Sequence, residues 1–356
     1  MAGAGMTTFS QPFRRPGSFK DRDYLETWEN LVFCVVGEVH PPGKAFAYLK
    51  YMLGEDKPNR VLRFYSVPHV EETMKLLAEK HPEYLFKDPY SGIVFPAVPE
   101  SKVKVHHKPE AGVARILSSP RDPLEAKAAR LVKLLSSRSK VPLERFGITG
   151  SILLGIHNLA YSDIDLIVYG LEESLKVKDA LESLYLEEGS QVEKFKGERL
   201  KAWCLEKSRL HPLTFEEAEE IYRRTWNRGT FEGTMFSVHP VKADYEVEEA
   251  YGEVKVEGLR LVEGEACIAD SRESIFLPAV YKIERVKIPG EEESLEREVL
   301  ELVSFEGLYG GIFQPGERVR FKGLLERVES RRKGSYFRVV VGSKAASGSD
   351  YIKPSA

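Results

Sequence analysis

The stretch 147–170, GITGSILLGIHNLAYSDIDLIVYG, constrains the fold more than any other part of the chain. Its second half, Asp163-Ile164-Asp165-Leu166-Ile167-Val168-Tyr169, is apolar and rich in β-branched residues, the composition of a buried strand. Residues two apart on a strand project from the same face, so Asp163 and Asp165 point together at the edge of a core. Two carboxylates so placed repel each other unless a cation lies between them, and a divalent metal ion is the usual remedy. The competing reading is plainer: a Ser-Asp turn leads into the sheet and leaves both acids in solvent.

The first half of the stretch weighs against that plainer reading. Residues 146–149 form a short lead-in, and 151–156 read as the first turns of an apolar helix. Gly150 lets the backbone turn sharply and leaves room for a ligand. Ser151 can cap the helix, or donate to a phosphate held at the helix N-terminus. The order is then an anion cradle, a helix, a turn through 158–162 and a strand bearing paired carboxylates, which suits a metal-bound nucleoside triphosphate.

Gly150-Ser151 followed by Ser162-Asp163-Ile164-Asp165-Leu166 resembles the signature of the DNA polymerase β nucleotidyltransferase superfamily, and especially its minimal nucleotidyltransferases. The longer chain is also similar to uncharacterised archaeal proteins regarded as nucleotidyltransferases. The resemblance implies transfer of a nucleoside monophosphate from an NTP to a hydroxyl acceptor. It implies Mg²⁺ or Mn²⁺ on Asp163 and Asp165, and phosphates on Gly150 and Ser151. It also implies a third carboxylate on a later strand. The strand expected over 234–242 contains no acid, so His239 within it, and Asp244 and Glu246 just beyond it, are the candidates for that third position. Imidazole is a poor Mg²⁺ ligand, and a core or turn role for His239 is the alternative. The missing acid opens a second reading, a non-catalytic nucleotide- or nucleic-acid-binding protein that keeps the same fold.

The rest of the sequence fixes the setting. A chain of 356 residues with 42% hydrophobic and 30% charged content fits a globular protein of several domains. A net charge of −3 gives no global pull towards nucleic acid, so such binding needs a local patch. No apolar run approaches the ~18 residues that would span a bilayer, and a cytoplasmic location without a membrane partner is expected. Cys34, Cys204 and Cys267 lie far apart and read as small buried hydrophobes rather than a zinc site or disulfide framework. Few amides among abundant Glu, Lys and Arg resemble the composition of hyperthermophile proteins.

The fold class expected is α+β in four parts. Residues 1–20 read as a disordered tail, and 21–120 as an α+β module with a hairpin turning at Pro41-Pro42-Gly43. Residues 121–250 read as the central mixed-sheet nucleotidyltransferase domain. It opens on a helix capped by Asp122 with Pro123 at its first position, and holds a second helix with a Thr214/Glu217 capping box. Residues 251–356 show short strands and Gly-rich turns, the pattern of a small OB-like β-barrel. There Arg327, Arg331, Arg332, Lys333 and Arg338 surround Tyr336 and Phe337. Basic and aromatic side chains together suit an RNA or protein acceptor, and the alternative is a solvated hairpin tip.

Overall fold

A computed structural model describes residues 12–54, 58–61 and 67–355 of the chain. These residues are α+β, with three sheets and eight α-helices among them. The first sheet comprises β1 (Tyr24–Thr27), β2 (Leu31–Val35), β3 (Lys44–Leu53), β4 (Pro58–Arg60), β5 (Leu85–Lys87), β6 (Val94–Pro99) and β7 (Val103–His107), with helix α1 (Val67–Lys80) between β4 and β5. Its order is β5-β6-β3-β2-β1-β7, with β4 beside β3. The hairpin expected at Pro41-Pro42-Gly43 is the antiparallel β2–β3 pair.

The second sheet is built from α2 (Pro109–Ser118), α3 (Pro123–Ser139), β8 (Phe146–Ile148), α4 (Gly150–Leu154), β9 (Ile164–Tyr169), α5 (Leu171–Leu186), β10 (Val192–Glu193), α6 (Gly197–Leu210), α7 (Phe215–Arg224), β11 (Arg228–Phe231) and β12 (Thr234–Val241). Its order is β10-β11-β12-β9-β8, and β9 and β12 run parallel while the other pairs are antiparallel, so the sheet is mixed. Alternation divides β9 between two faces. Ile164, Leu166 and Val168 join a core with Leu135 of α3 and Val177 and Leu181 of α5. Asp165, Ile167 and Tyr169 occupy the opposite face, where Phe13 stacks on Tyr169 with ring centroids 4.3 Å apart. The caps are as the sequence implies. Asp122 accepts from the Leu124 and Glu125 amides ahead of α3, and Thr214 and Glu217 close a capping box on α7.

The third sheet holds β13 (Val254–Asp270), β14 (Ala279–Lys287), β15 (Val299–Ser304), β16 (Arg318–Ser330), β17 (Gly334–Val341) and β18 (Tyr351–Pro354), with α8 (Glu293–Glu298) before β15. β13 pairs with both β14 and β16, β14 with β15, and β17 with both β15 and β16. The pairing of these five strands returns to its start, and β18 adds to β16. Strand β13 is long, and its pairing with β16 shifts between Gly258 and Arg260.

Packing crosses each of the expected boundaries. Of the tail expected over 1–20, residues 1–11 lie outside the described residues. Residues 12–20 are packed, not disordered. Arg14 binds Asp23 and Glu110, and the fully buried Lys20 places its Nζ 2.5 Å from Asp244 Oδ1. The break near 120 cuts a single core, because Val113 and Ile116 of α2 pack with β8 and β9. Across the break near 250, Trp203, Ile221 and Tyr222 of α6 and α7 share a core with Tyr281, Leu302 and Phe321. Among the described residues no helix is long and apolar enough to cross a membrane. All three cysteines are free and buried.

Candidate active site

The parallel β9–β12 pairing decides which side chains meet. Ser237 is the ladder partner of Asp165, and His239 lies two residues on, on the same face. Ser237 Oγ hydrogen-bonds Asp165 Oδ1, and it lies 2.8 Å from His239 Nε2. His239 Nε2 is 3.6 Å from Asp165 Oδ1. A carboxylate only accepts, so Ser237 spends its single proton on Asp165, and His239 must donate to Ser237 through Nε2–H. The result is a chain of donors ending on Asp165.

Gly150 closes the site from the β8 side. Its φ of +65° lies in the left-handed region, and a Cβ there would stand 2.7 Å from Asp165 Oδ2. The helix that follows, α4, has five residues, and its N-cap position falls on Thr149 rather than Ser151. Ser151 is half-buried, and its hydroxyl makes no hydrogen bond among the described residues. Thr149 donates instead to the Arg22 carbonyl, at 2.9 Å. That bond docks the N-terminal segment against the Gly-Ser turn. Tyr24 and Tyr51 of the first sheet pack in one cluster with Leu153 and Leu154 of α4, so the first sheet roofs this end of the site.

The electrostatics follow from this crowding. The charge on Asp165, and then burial, push the Asp163 carboxyl up to about 6. Burial alone would raise Asp165, but His239, Ser237 and Arg22 hold it below the usual carboxylate range. Burial, aided by Arg22, pushes His239 down to about 4, so its imidazole is neutral at neutral pH. Burial also lowers the Lys50 ammonium, against the pull of Asp165. Arg228 and Arg60 act on Asp163 from two further directions. Two acids thus face cations contributed by the N-terminal segment, the first sheet and β11.

The three candidates for the third position separate. His239 is at the site. Asp244 is not, because it binds Lys20, Ser18 and the Arg15 amide and so anchors the N-terminal segment. Glu246 is also engaged elsewhere, accepting from the Leu171 and Ala243 amides. Ser237 was visible only as a Ser-x-His alternation, and its meaning needed the register with β9. Arg22, far away in sequence, gave no signal at all.

Other groupings offer less. Asp122, Glu125 and His157 approach one another closely enough to suggest a metal site. Glu125, however, is clasped by Arg115 and Arg121, and Asp122 is the α3 cap. A crevice of about 990 Å³ opens along β13 and β14, but Arg260–Glu291 and Lys287–Glu296 pair across its lining. The basic and aromatic cluster near the C-terminus is largely spent within its own sheet. Arg338 binds Glu326, Lys333 and the Tyr336 hydroxyl bind Glu301, and Arg327 lies 3.7 Å from Glu257.

Comparison with known proteins gives one informative likeness. The chain is 29% identical over 344 residues to an uncharacterized protein of Methanocaldococcus jannaschii, MJ1086, a match covering 93% of this chain and 98% of that one. No protein-family model and no solved structure matches it significantly. The chain is therefore similar, almost end to end, to an uncharacterised archaeal protein.

Proposed function

We propose that the protein is a metal-dependent nucleotidyltransferase of the DNA polymerase β superfamily type. One observation carries this reading: Asp165 of the Asp163/Asp165 pair lies against the Gly150 turn, its carboxylate oxygen 2.7 Å from where a Cβ would stand. Asp163 and Asp165 would hold a divalent cation such as Mg²⁺ or Mn²⁺. The donor set fits, since hard carboxylates under mutual repulsion are what such an ion relieves. When bound, the ion would supply charge stabilisation at the reacting phosphate.

The chain's own residues would do the rest. Gly150 gives the Asp165 carboxylate room, and the Ser151 hydroxyl is free to donate to the phosphates. Ser237 and His239 hold the Asp165 carboxylate in one orientation. The acceptor hydroxyl oxygen forms a bond to the α-phosphorus, the bond to the bridging oxygen breaks, and pyrophosphate departs with the electron pair. The hydroxyl proton is lost to solvent. The five-strand ring formed by β13 to β17 we read as OB-like, with the parallel β15–β17 pair closing it.

A second reading has an observation of its own. Ser237 and His239 stand where the superfamily places an acid, which favours a protein that holds a nucleotide without transferring it. The test is incubation with each labelled NTP, Mg²⁺ or Mn²⁺ and a pool of cellular metabolites, RNA and protein. Transfer of label supports the enzyme. Metal-dependent NTP binding without transfer supports the binding protein. Asp165→Asn should abolish that binding with the fold intact, and unchanged calorimetric affinity in this variant would refute both.

A further inference from the structure

The site elements follow one another across the second sheet. The Gly150 turn ends β8, Asp165 lies on β9, Ser237 and His239 on β12, and Arg228 on β11. Arg228 is the ladder partner of Ser237, as Ser237 is of Asp165, so these three form one row on one face. From β9 to β11 the row spans about 10 Å, at two strand spacings. Arg228 is half-buried, and its guanidinium makes no hydrogen bond or ion pair among the described residues. Nearby Arg223 and Arg224 differ, being engaged by Glu219, Glu220 and Glu317. Its charge acts on the Asp163 carboxylate without a hydrogen bond or ion pair to it, so the donors of the guanidinium fork are left to a bound anion.

The geometry points to Arg228 as a second anion site, on the far side of the carboxylates from the Gly150 turn, that selects an acceptor carrying a phosphate about one sugar's length from its attacking hydroxyl. The assignment of the bound molecule as an acceptor rests on the nucleotidyltransferase reading. If the phosphates of the NTP lie toward Gly150, an in-line attack must come from the β12 and β11 side. Whatever brings the hydroxyl there then meets Arg228 next. The guanidinium fork matches a phosphate in two-point contact, which a neutral sugar or polyol cannot offer.

Calorimetric titration of the full chain with inorganic phosphate tests the site, alone and with Mg²⁺ and a nonhydrolysable ATP analogue. The wild type should bind phosphate and nucleotide together. Arg228→Gln should weaken phosphate at least about ten-fold, Arg228→Lys should recover part of the loss, and nucleotide affinity should move by less than about three-fold. Phosphate that displaces the nucleotide, or that binds Arg228→Gln as tightly as wild type, overturns the assignment. In the transfer assay glycerol 3-phosphate should take label and glycerol should not. Equal labelling of the two, or labelling of RNA alone, overturns the acceptor class. If no nucleotide binds but phosphate binding still depends on Arg228, the transferase reading falls and the anion site stands.

Discussion

Asp163 carries the clearest consequence at the scale of one residue. Its folded-state pKa of about 6 lies above the ordinary aspartate range, mainly because Asp165 is charged. The native state therefore holds this proton more tightly than the unfolded chain, so stability falls as pH rises through that interval. Above it the ionised pair is a standing cost. Asp163→Asn should then raise thermal stability at pH 7–8, by at most about 2 kcal/mol after solvent screening, and the gain should vanish near pH 4. Melting curves of both proteins across pH check this, and Mg²⁺ should stabilise the wild type alone. A variant less stable than wild type at pH 8 would mean that the two carboxylates do not oppose one another.

Elements show where the sequence was legible. The Gly150 turn makes the next prediction: Gly150→Ala should lose about 1–2 kcal/mol of stability through its left-handed backbone and should also lose nucleotide binding. Gly155 supplies the control. It too has positive φ, but the nearest atom to its added Cβ is the end of the Arg121 side chain, at 3.3 Å. Gly155→Ala should therefore melt earlier while binding nucleotide as before, which thermal scans and titrations of both variants will separate. Strand β9, the α3 cap and the α7 capping box could be read directly, because periodicity and capping chemistry are local. Gly150, Asp163 and Asp165 were legible for the same reason. Helices α2 and α6 were missed, since neither has a side-chain cap to mark its start. The role of Ser237 was hidden because it depends on which strand lies beside β9, and the bond from His106 to buried Asp23, at 2.7 Å, was hidden in the same way. No local pattern reports a partner so far away in sequence.

On the scale of the whole molecule, the segment 12–23 is a clasp between the first two sheets. Phe13 stacks on Tyr169, Arg14 joins Asp23 to Glu110, and Lys20 is buried against Asp244. Removing one partner of a buried ion pair strands the other charge, so Lys20→Met should destabilise the fold by about 3–5 kcal/mol. Adding Asp244→Leu should recover much of that loss, because no charge is then left unpaired. Denaturant titration of the single and double variants measures both steps, and a double variant as weak as the single one would show that the pair does more than neutralise itself. Since Arg22 lies in the same segment, the single variant should also weaken nucleotide binding.

That clasp also orders events in time. Lys20 and Asp244 are separated by 224 positions in the chain. At roughly 5–20 residues per second, a ribosome that has made Lys20 takes about 10–45 s to deliver its partner. Throughout that interval Lys20 has no counter-ion, and once residue 149 is made the Thr149 bond to the Arg22 carbonyl holds the segment beside the Gly150 turn without it. A nascent chain can thus complete β9 and its two aspartates before Ser237 and His239 of β12 are there to meet them. The full set of side chains around Asp165 is present only when translation has passed β12, so under the proposed reading a half-made protein would not yet bind nucleotide.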